Sequence, residues 1–101
     1  MPTPPEKIEV LNVTSPHHVT RVDAAKYRAM HRALMAVLPA APPGMTPREA
    51  QAALLAHLDP VLFPNGEKAG WWMKCVQLDL EARGQLARAP KSPVRLWRVT
   101  V

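Results

Sequence analysis

The architecture is predicted from residues 68–88, which read KAGWWMKCVQLDLEARGQLAR. A rotation of about 100° per residue places apolar side chains on two stripes of a helix over residues 68–83, and Gly84 is a typical residue just beyond a helix end. The first stripe consists of Trp72, Val76 and Leu80, and the second of Trp71, Cys75, Leu78 and Ala82. A helix that is apolar over so wide an arc must be covered on two sides. It is therefore predicted to be the central helix.

Two further helices are predicted before the central one. The first is expected to begin at a capping box formed by Thr20 and Asp23, to continue at helical apolar spacing, and to end before Pro39. The second has the stronger start signal, because Thr46 is a suitable N-cap and Pro47 occupies the first helical position.

β-prone segments flank the helices at both ends of the chain. Residues 8–13 are predicted to form a short N-terminal edge strand, preceded by a mobile lead at residues 1–6. Residues 86–88 and 94–101 are predicted to pair as a C-terminal β-hairpin with a proline-containing tip. The expected fold class is α+β, mainly α, with three helices, the hairpin and the short strand in a single domain spanning residues 1–101.

The order helix, helix, long helix, glycine and basic hairpin is that of a winged helix-turn-helix. Residues 72–88 resemble the recognition helix and first wing strand of bacterial winged-helix domains. Nearly the whole chain also resembles an uncharacterised bacterial family of short stand-alone proteins, through residues 7–12, 18–23, 68–72 and 76–81. The family resemblance implies no activity, whereas the winged-helix resemblance implies duplex DNA binding or partner binding.

The connection between the second and third helices departs from this pattern. A compact helix-turn-helix joins these helices by a turn of about 3–4 residues, but residues 59–67 separate them here and include two prolines. The departure affects the expected DNA-reading geometry more than the expected fold.

Basic charge supports a polyanion as partner. The net charge is +5, and residues 85–101 contain four basic residues and no acid. On the central helix, the face opposite the apolar stripes carries Lys74 and Gln77, side chains that contact bases or phosphates in many complexes, together with Glu81. The predicted nucleic-acid-binding residues are Lys74, Gln77, Arg88, Lys91, Arg95 and Arg98. The alternatives are an ordinary solvated helix face and a charged strand edge that opposes aggregation.

An interaction module on the same fold is the second hypothesis. Trp71 heads the second apolar stripe and is predicted to lie at a subunit interface of a homodimer, while Trp72 and Trp97 are predicted to pack in the core. A partner protein would contact either the Trp71 stripe or residues 61–63. A clustered positive surface would favour DNA binding, and an exposed apolar patch would favour the interaction module.

Other function classes receive no support from the sequence. The single cysteine, Cys75, excludes an intrachain disulfide and fits a reducing cytoplasm, and no apolar run approaches the length of a membrane span. The histidines lack metal-ligand spacing, and no catalytic arrangement of residues can be assembled. We therefore predict a cytoplasmic protein that is not an enzyme, with no cofactor and no small-molecule ligand inferred.

Overall fold

The computed structural model describes residues 6–15 and 17–99, and within them it contains three α-helices and two antiparallel strand pairs. In chain order the elements are β1 (Lys7–Val10), β2 (Thr20–Asp23), α1 (Ala24–Val37), α2 (Pro47–Leu54), α3 (Ala69–Ala82), β3 (Leu86–Arg88) and β4 (Leu96–Arg98). Two short 3₁₀ turns, Leu55–His57 and Pro64–Gly66, lie between α2 and α3. The predicted α+β class, mainly α, is confirmed.

The N-terminal hairpin corrects the prediction for the start of α1. β1 pairs with β2, with Lys7 opposite Asp23 and Val10 opposite Thr20, so Thr20 lies in a strand and is not a helix cap. Asp23 alone caps α1, since its side chain accepts hydrogen bonds from the backbone amides of Ala25 and Lys26. The physical reason is that pairing with β1 satisfies the backbone of the β-branched β2 segment, which a lone capping box cannot do.

Of the predicted mobile lead at residues 1–6, the structure describes only Glu6. The Glu6 side chain lies 2.7 Å from the Arg28 guanidinium, and its carbonyl accepts a hydrogen bond from the Ala24 amide. Glu6 is therefore attached to the start of α1, whereas residues 1–5 lie outside the described part of the chain.

The C-terminal hairpin is anchored to the loop between α1 and α2. β3 pairs with β4 over three residues, and the predicted strand from residue 94 onward is shorter, covering Leu96–Arg98; residues 100–101 lie outside the described range. Met45 and Leu96 exchange two backbone hydrogen bonds of 2.9 and 2.8 Å, and the Arg98 amide donates to the Pro39 carbonyl at 2.8 Å. The hairpin and the segment that begins α2 are thus held together by backbone pairing.

The core lies where α1 and α2 pack against α3. The first predicted stripe of α3 is buried, as are Met30 and Leu34 of α1 and Leu54 of α2. The second stripe is divided, because Leu78 is buried, Cys75 is half-buried, and Trp71 and Ala82 are exposed. α3 is therefore the central helix, as predicted, and the N-terminal hairpin supplies part of the second cover.

The tight contact between Gly44 and β4 gives a test of this anchoring. Gly44 has a φ of +81°, and a Cβ there would lie 2.6 Å from the Leu96 carbonyl oxygen; Gly84 has a φ of +76° and open space around it. Both alanine variants incur the left-handed backbone cost of about 1–2 kcal/mol, and Gly44→Ala adds about 1–3 kcal/mol of overpacking. Urea denaturation should therefore rank Gly44→Ala below Gly84→Ala in free energy of unfolding. Equal losses in the two variants would contradict the close approach.

Candidate functional site

One buried carboxylate connects three parts of the fold. Asp79 on α3 is 1% exposed. Its Oδ1 accepts hydrogen bonds from the Leu11 amide at 2.7 Å and from Arg83 Nε at 2.9 Å, and its Oδ2 accepts one from the Tyr27 hydroxyl. Arg83 also donates to the Glu9 carbonyl at 3.1 Å. The end of β1, the start of α1 and the last turn of α3 are thereby joined.

Sequence spacing predicted only the helical part of this network. Asp79 and Arg83 fall between the two apolar stripes of the predicted helix, four residues apart and suitably oriented for an ion pair, and the structure contains that pair at 2.9 Å. Tyr27 and the Leu11 amide were missed, because their sequence separations from Asp79 are 52 and 68 residues. Contacts at that distance follow from how β1 and α1 pack against α3, which no local pattern encodes.

Burial keeps the neighbouring titratable groups in their neutral forms. Burial raises the pKa of Tyr27, and the hydrogen bond to Asp79 raises it further, so the hydroxyl remains a donor. Burial also lowers the pKa of His31, whose ring lies 6.0 Å from that of Tyr27. Burial, together with the charge of Asp79, raises the pKa of Cys75 to about 11. A thiol that is protonated at neutral pH is not an activated nucleophile.

A cleft of about 240 Å³ opens between the N-terminal hairpin and α3; we call it the hairpin cleft. Its apolar lining comes from Val10, Leu11, Val22, Trp71, Cys75 and Leu78. Its polar lining comes from Asn12, His18, Thr20 and Lys74, and none of the described residues that line it is acidic. Two strands and one helix therefore form a small concave site with apolar walls and a single permanent positive charge, the usual composition of a ligand-binding cleft.

The polar groups on the hairpin side of the cleft are partly engaged with one another. Thr20 Oγ1 and His18 Nε2 lie 3.0 Å apart, and Asn12 Oδ1 accepts hydrogen bonds from the backbone and side chain of Thr14. Lys74, on the α3 side, is exposed and forms no ion pair among the described residues. The cation of the hairpin cleft is thus available to a group from outside.

Gln77 was predicted to lie on the exposed face of α3, and this prediction is wrong. This side chain is 1% exposed, and its Nε2 donates to Glu81 at 3.1 Å. The reason is that β3 returns over this face, where Arg88 donates two hydrogen bonds of 2.7 and 2.8 Å to the Glu81 carboxylate. The Oε1 atom of Gln77 is buried with no hydrogen-bond partner in the described structure. Gln77 therefore presents no amide edge to a base.

The four predicted basic residues of the C-terminal hairpin form two pairs that differ in their contacts. Arg88 is paired with Glu81, and Arg98 Nε donates to the Leu38 carbonyl at 2.9 Å, so both have structural roles. Lys91 is exposed, and Arg95 is 39% exposed with a long 3.9 Å contact to Glu49. Among the described residues of the hairpin, Lys91 and Arg95 are thus the basic residues whose side chains have no close ion pair or hydrogen bond. The local sequence does not show which basic residues are engaged. The partner of Arg88 is Glu81 on α3, and the partner of Arg98 is the Leu38 carbonyl at the end of α1.

Trp71 lies at the rim of the hairpin cleft and is 59% exposed. Its ring packs edge-on against Trp72, with centroids 5.1 Å apart and planes at 80°. Trp72 is buried, as predicted, and Trp97 is half-buried. The N-terminal hairpin covers Leu78 and part of Cys75, so the second stripe needs less cover from another subunit than the sequence indicated.

The described residues contain neither a cluster of metal-ligating side chains nor a membrane-spanning helix. Over residues 6–15 and 17–99, no three His, Cys, Asp or Glu side chains come together in a metal-binding arrangement. None of the helices in this part of the chain has the length and apolar character needed to cross a membrane.

Comparison with known proteins identifies a family but no activity. A model of a family of unknown function matches residues 7–96, from β1 to the start of β4. No curated protein and no solved structure matches the chain. The predicted resemblance to an uncharacterised family is confirmed.

The Asp79 network gives a stability prediction. Asp79→Ala removes the acceptor of the buried Tyr27 hydroxyl and of the Leu11 amide, and each unsatisfied buried donor costs about 1–3 kcal/mol. We expect the free energy of unfolding to fall by about 2–5 kcal/mol in urea denaturation. Glu6→Ala, which breaks the exposed pair with Arg28, is the matched control and should change stability far less. Similar losses for both variants would show that Asp79 acts as an ordinary surface partner.

Proposed function

The chain belongs to the family of unknown function DUF6958, and because that membership assigns no activity, we propose that it is a winged-helix protein that contacts the backbone of duplex DNA. In this proposal the tip of the C-terminal hairpin is the wing and carries the contact. The protein acts by binding, without catalysis, and a regulatory role in a bacterial cytoplasm is part of the proposal. The single free thiol at Cys75 supports a reducing compartment.

The anchoring of the hairpin is the observation that carries this proposal. The backbone bonds from Met45 to Leu96 and from Arg98 to Pro39 hold β4 against the loop before α2. A basic hairpin fixed beside the helices is the arrangement that the winged-helix resemblance implies. A rigid hairpin also holds its exposed charges in place, so less conformational entropy is lost on binding.

The outward charges define the kind of contact. Lys91 is exposed and the Arg95 side chain is 39% exposed, in a hairpin that has no acid between residues 85 and 99. Lysine and arginine side chains at such a tip neutralise phosphates and release counterions. Gln77 is buried beneath β3, so it is removed from the proposed contact set. The proposal is therefore a phosphate contact without base reading by α3.

Salt-dependent binding tests the proposed wing. We expect a mixed-sequence duplex to bind more weakly as salt rises, with each neutralised phosphate contributing about 0.9 to the slope of log affinity against log salt. Lys91→Ala/Arg95→Ala should flatten that slope by about 1.8 in fluorescence anisotropy. Arg98 is left intact, because its guanidinium bonds the Leu38 carbonyl.

The control for this experiment removes the same charge elsewhere. Lys7→Ala/Arg21→Ala changes two exposed basic residues of the N-terminal hairpin, and its slope should remain that of the wild-type protein. Equal flattening in both double variants would indicate a response to net charge alone. Absence of binding at low salt would overturn the proposal.

A homodimer is the second candidate function, and the exposure of Trp71 favours it. A tryptophan that is 59% exposed at the rim of a cleft is the residue type that most often contributes strongly to an interface. In this hypothesis the protein is a non-enzymatic interaction module on the same fold, and Trp71 of each chain packs against the partner.

Sedimentation velocity over a range of protein concentrations tests the dimer. The wild-type protein should move from monomer to dimer, and Trp71→Ser should weaken the association about 30-fold, the equivalent of about 2 kcal/mol for an interface anchor. Leu55→Ser is the matched control, since Leu55 is 48% exposed and lies outside both the hairpin cleft and residues 61–63. A wild-type protein that stays monomeric throughout would exclude this candidate.

A further inference from the structure

We propose that the hairpin cleft binds a small aromatic carboxylate, with the ring between Trp71 and the hairpin and the acid group at Lys74. This is a ligand site separate from the proposed wing, because none of its lining residues belongs to β3 or β4. The inference therefore does not depend on DNA binding.

The volume of the cleft sets the size of the ligand. An apolar cavity of about 150 Å³ holds one benzene molecule. By proportion, the 240 Å³ of the hairpin cleft accommodates roughly ten non-hydrogen atoms. That is one ring with a short side arm, and it is smaller than the drug-sized ligands of larger pockets.

The walls of the cleft set the apolar part of the ligand. Val10 and Val22 line the hairpin side, and Trp71 and Leu78 line the helix side, so a flat ring entering between them is covered on both faces. The exposed Trp71 side chain gains apolar burial when a ring packs against it. Cys75 adds a neutral wall, since burial raises the pKa of its thiol to about 11.

The charge of the cleft sets the polar part of the ligand. Of the lining residues that the structure describes, Lys74 is the only one with a permanent charge, and it forms no ion pair with another described residue. An anionic group there gains an attraction that a neutral or cationic group does not. Thr20 and His18 lie in the same lining and offer further hydrogen-bonding atoms. A carboxylate fits this set better than an amine, which Lys74 would repel.

Amide chemical shifts of the full chain provide the test. We would titrate the ¹⁵N-labelled protein with 3-phenylpropionate and, separately, with 3-phenylpropanamide, which has the same shape without the charge. The carboxylate should give saturable shifts confined to residues 10–12, 18–22 and 71–78. It should bind about fivefold more tightly than the amide, which is the upper range for a partly exposed charge pair.

Variants at Lys74 separate charge recognition from apolar filling. Lys74→Met keeps the aliphatic stem and should abolish the preference for the carboxylate, whereas Lys74→Arg should retain it. Lys7→Met, which changes an exposed lysine outside the lining of the cleft, should retain the wild-type preference for the carboxylate. Circular dichroism melting of each variant verifies that the fold is intact.

Three results would overturn the proposal. Equal affinity for the carboxylate and the amide in the wild-type protein would remove the role of Lys74. Shifts that do not saturate, or that spread outside the cleft, would show that these probes have no site there. Concentration-dependent shifts of the same residues without any probe would show that a second copy of the chain occupies the cleft.

Discussion

The structure depends on the hydrogen bonds of one carboxylate. Asp79 is buried, yet each of its oxygens has a donor, and the Arg83 guanidinium beside it carries the opposite charge. A buried carboxylate is tolerated only when it is satisfied in this way. Because the donors come from β1, α1 and α3, satisfying Asp79 fixes the relative positions of the three elements. Because these bonds hold the end of β1 beside α3, the hairpin cleft lies between the N-terminal hairpin and the helix.

α3 is covered on both of its flanks, and this determines which surfaces remain for binding. On one side β3 closes over Gln77 and Glu81, and on the other the N-terminal hairpin faces Leu78 and Cys75. Little of the helix is left to enter a DNA groove. The two proposals therefore use the tip of the C-terminal hairpin and the opening of the hairpin cleft, which Trp71 borders. The two proposals use different surfaces and are compatible.

The sequence predicted the three helices and the C-terminal hairpin, whereas most of the site follows from contacts between segments that are distant in the sequence. Apolar spacing and proline or glycine boundaries placed α2 and α3 nearly correctly, because these signals act within a few residues. β2 was missed, since a segment containing Thr20 and Asp23 carries capping and strand signals together, and only pairing with β1 decides between them. Gln77 was predicted to be exposed because helical geometry does not reveal where the chain turns back after Gly84. The cleft was not predicted, as its walls come from segments far apart in the sequence.

The Asp79 network also affects how the chain folds during synthesis. Leu11 leaves the ribosome early, but the carboxylate that accepts the hydrogen bond from its amide lies 68 residues later in the sequence. Tyr27 donates to the same carboxylate, from which it is separated by 52 residues. Until α3 has emerged, β1 and β2 can pair only with each other, and an isolated two-stranded hairpin is marginally stable in water. The end of β1 therefore acquires its final position after translation has passed residue 79, and a fragment ending before α3 would lack the Asp79 hydrogen bond at Leu11.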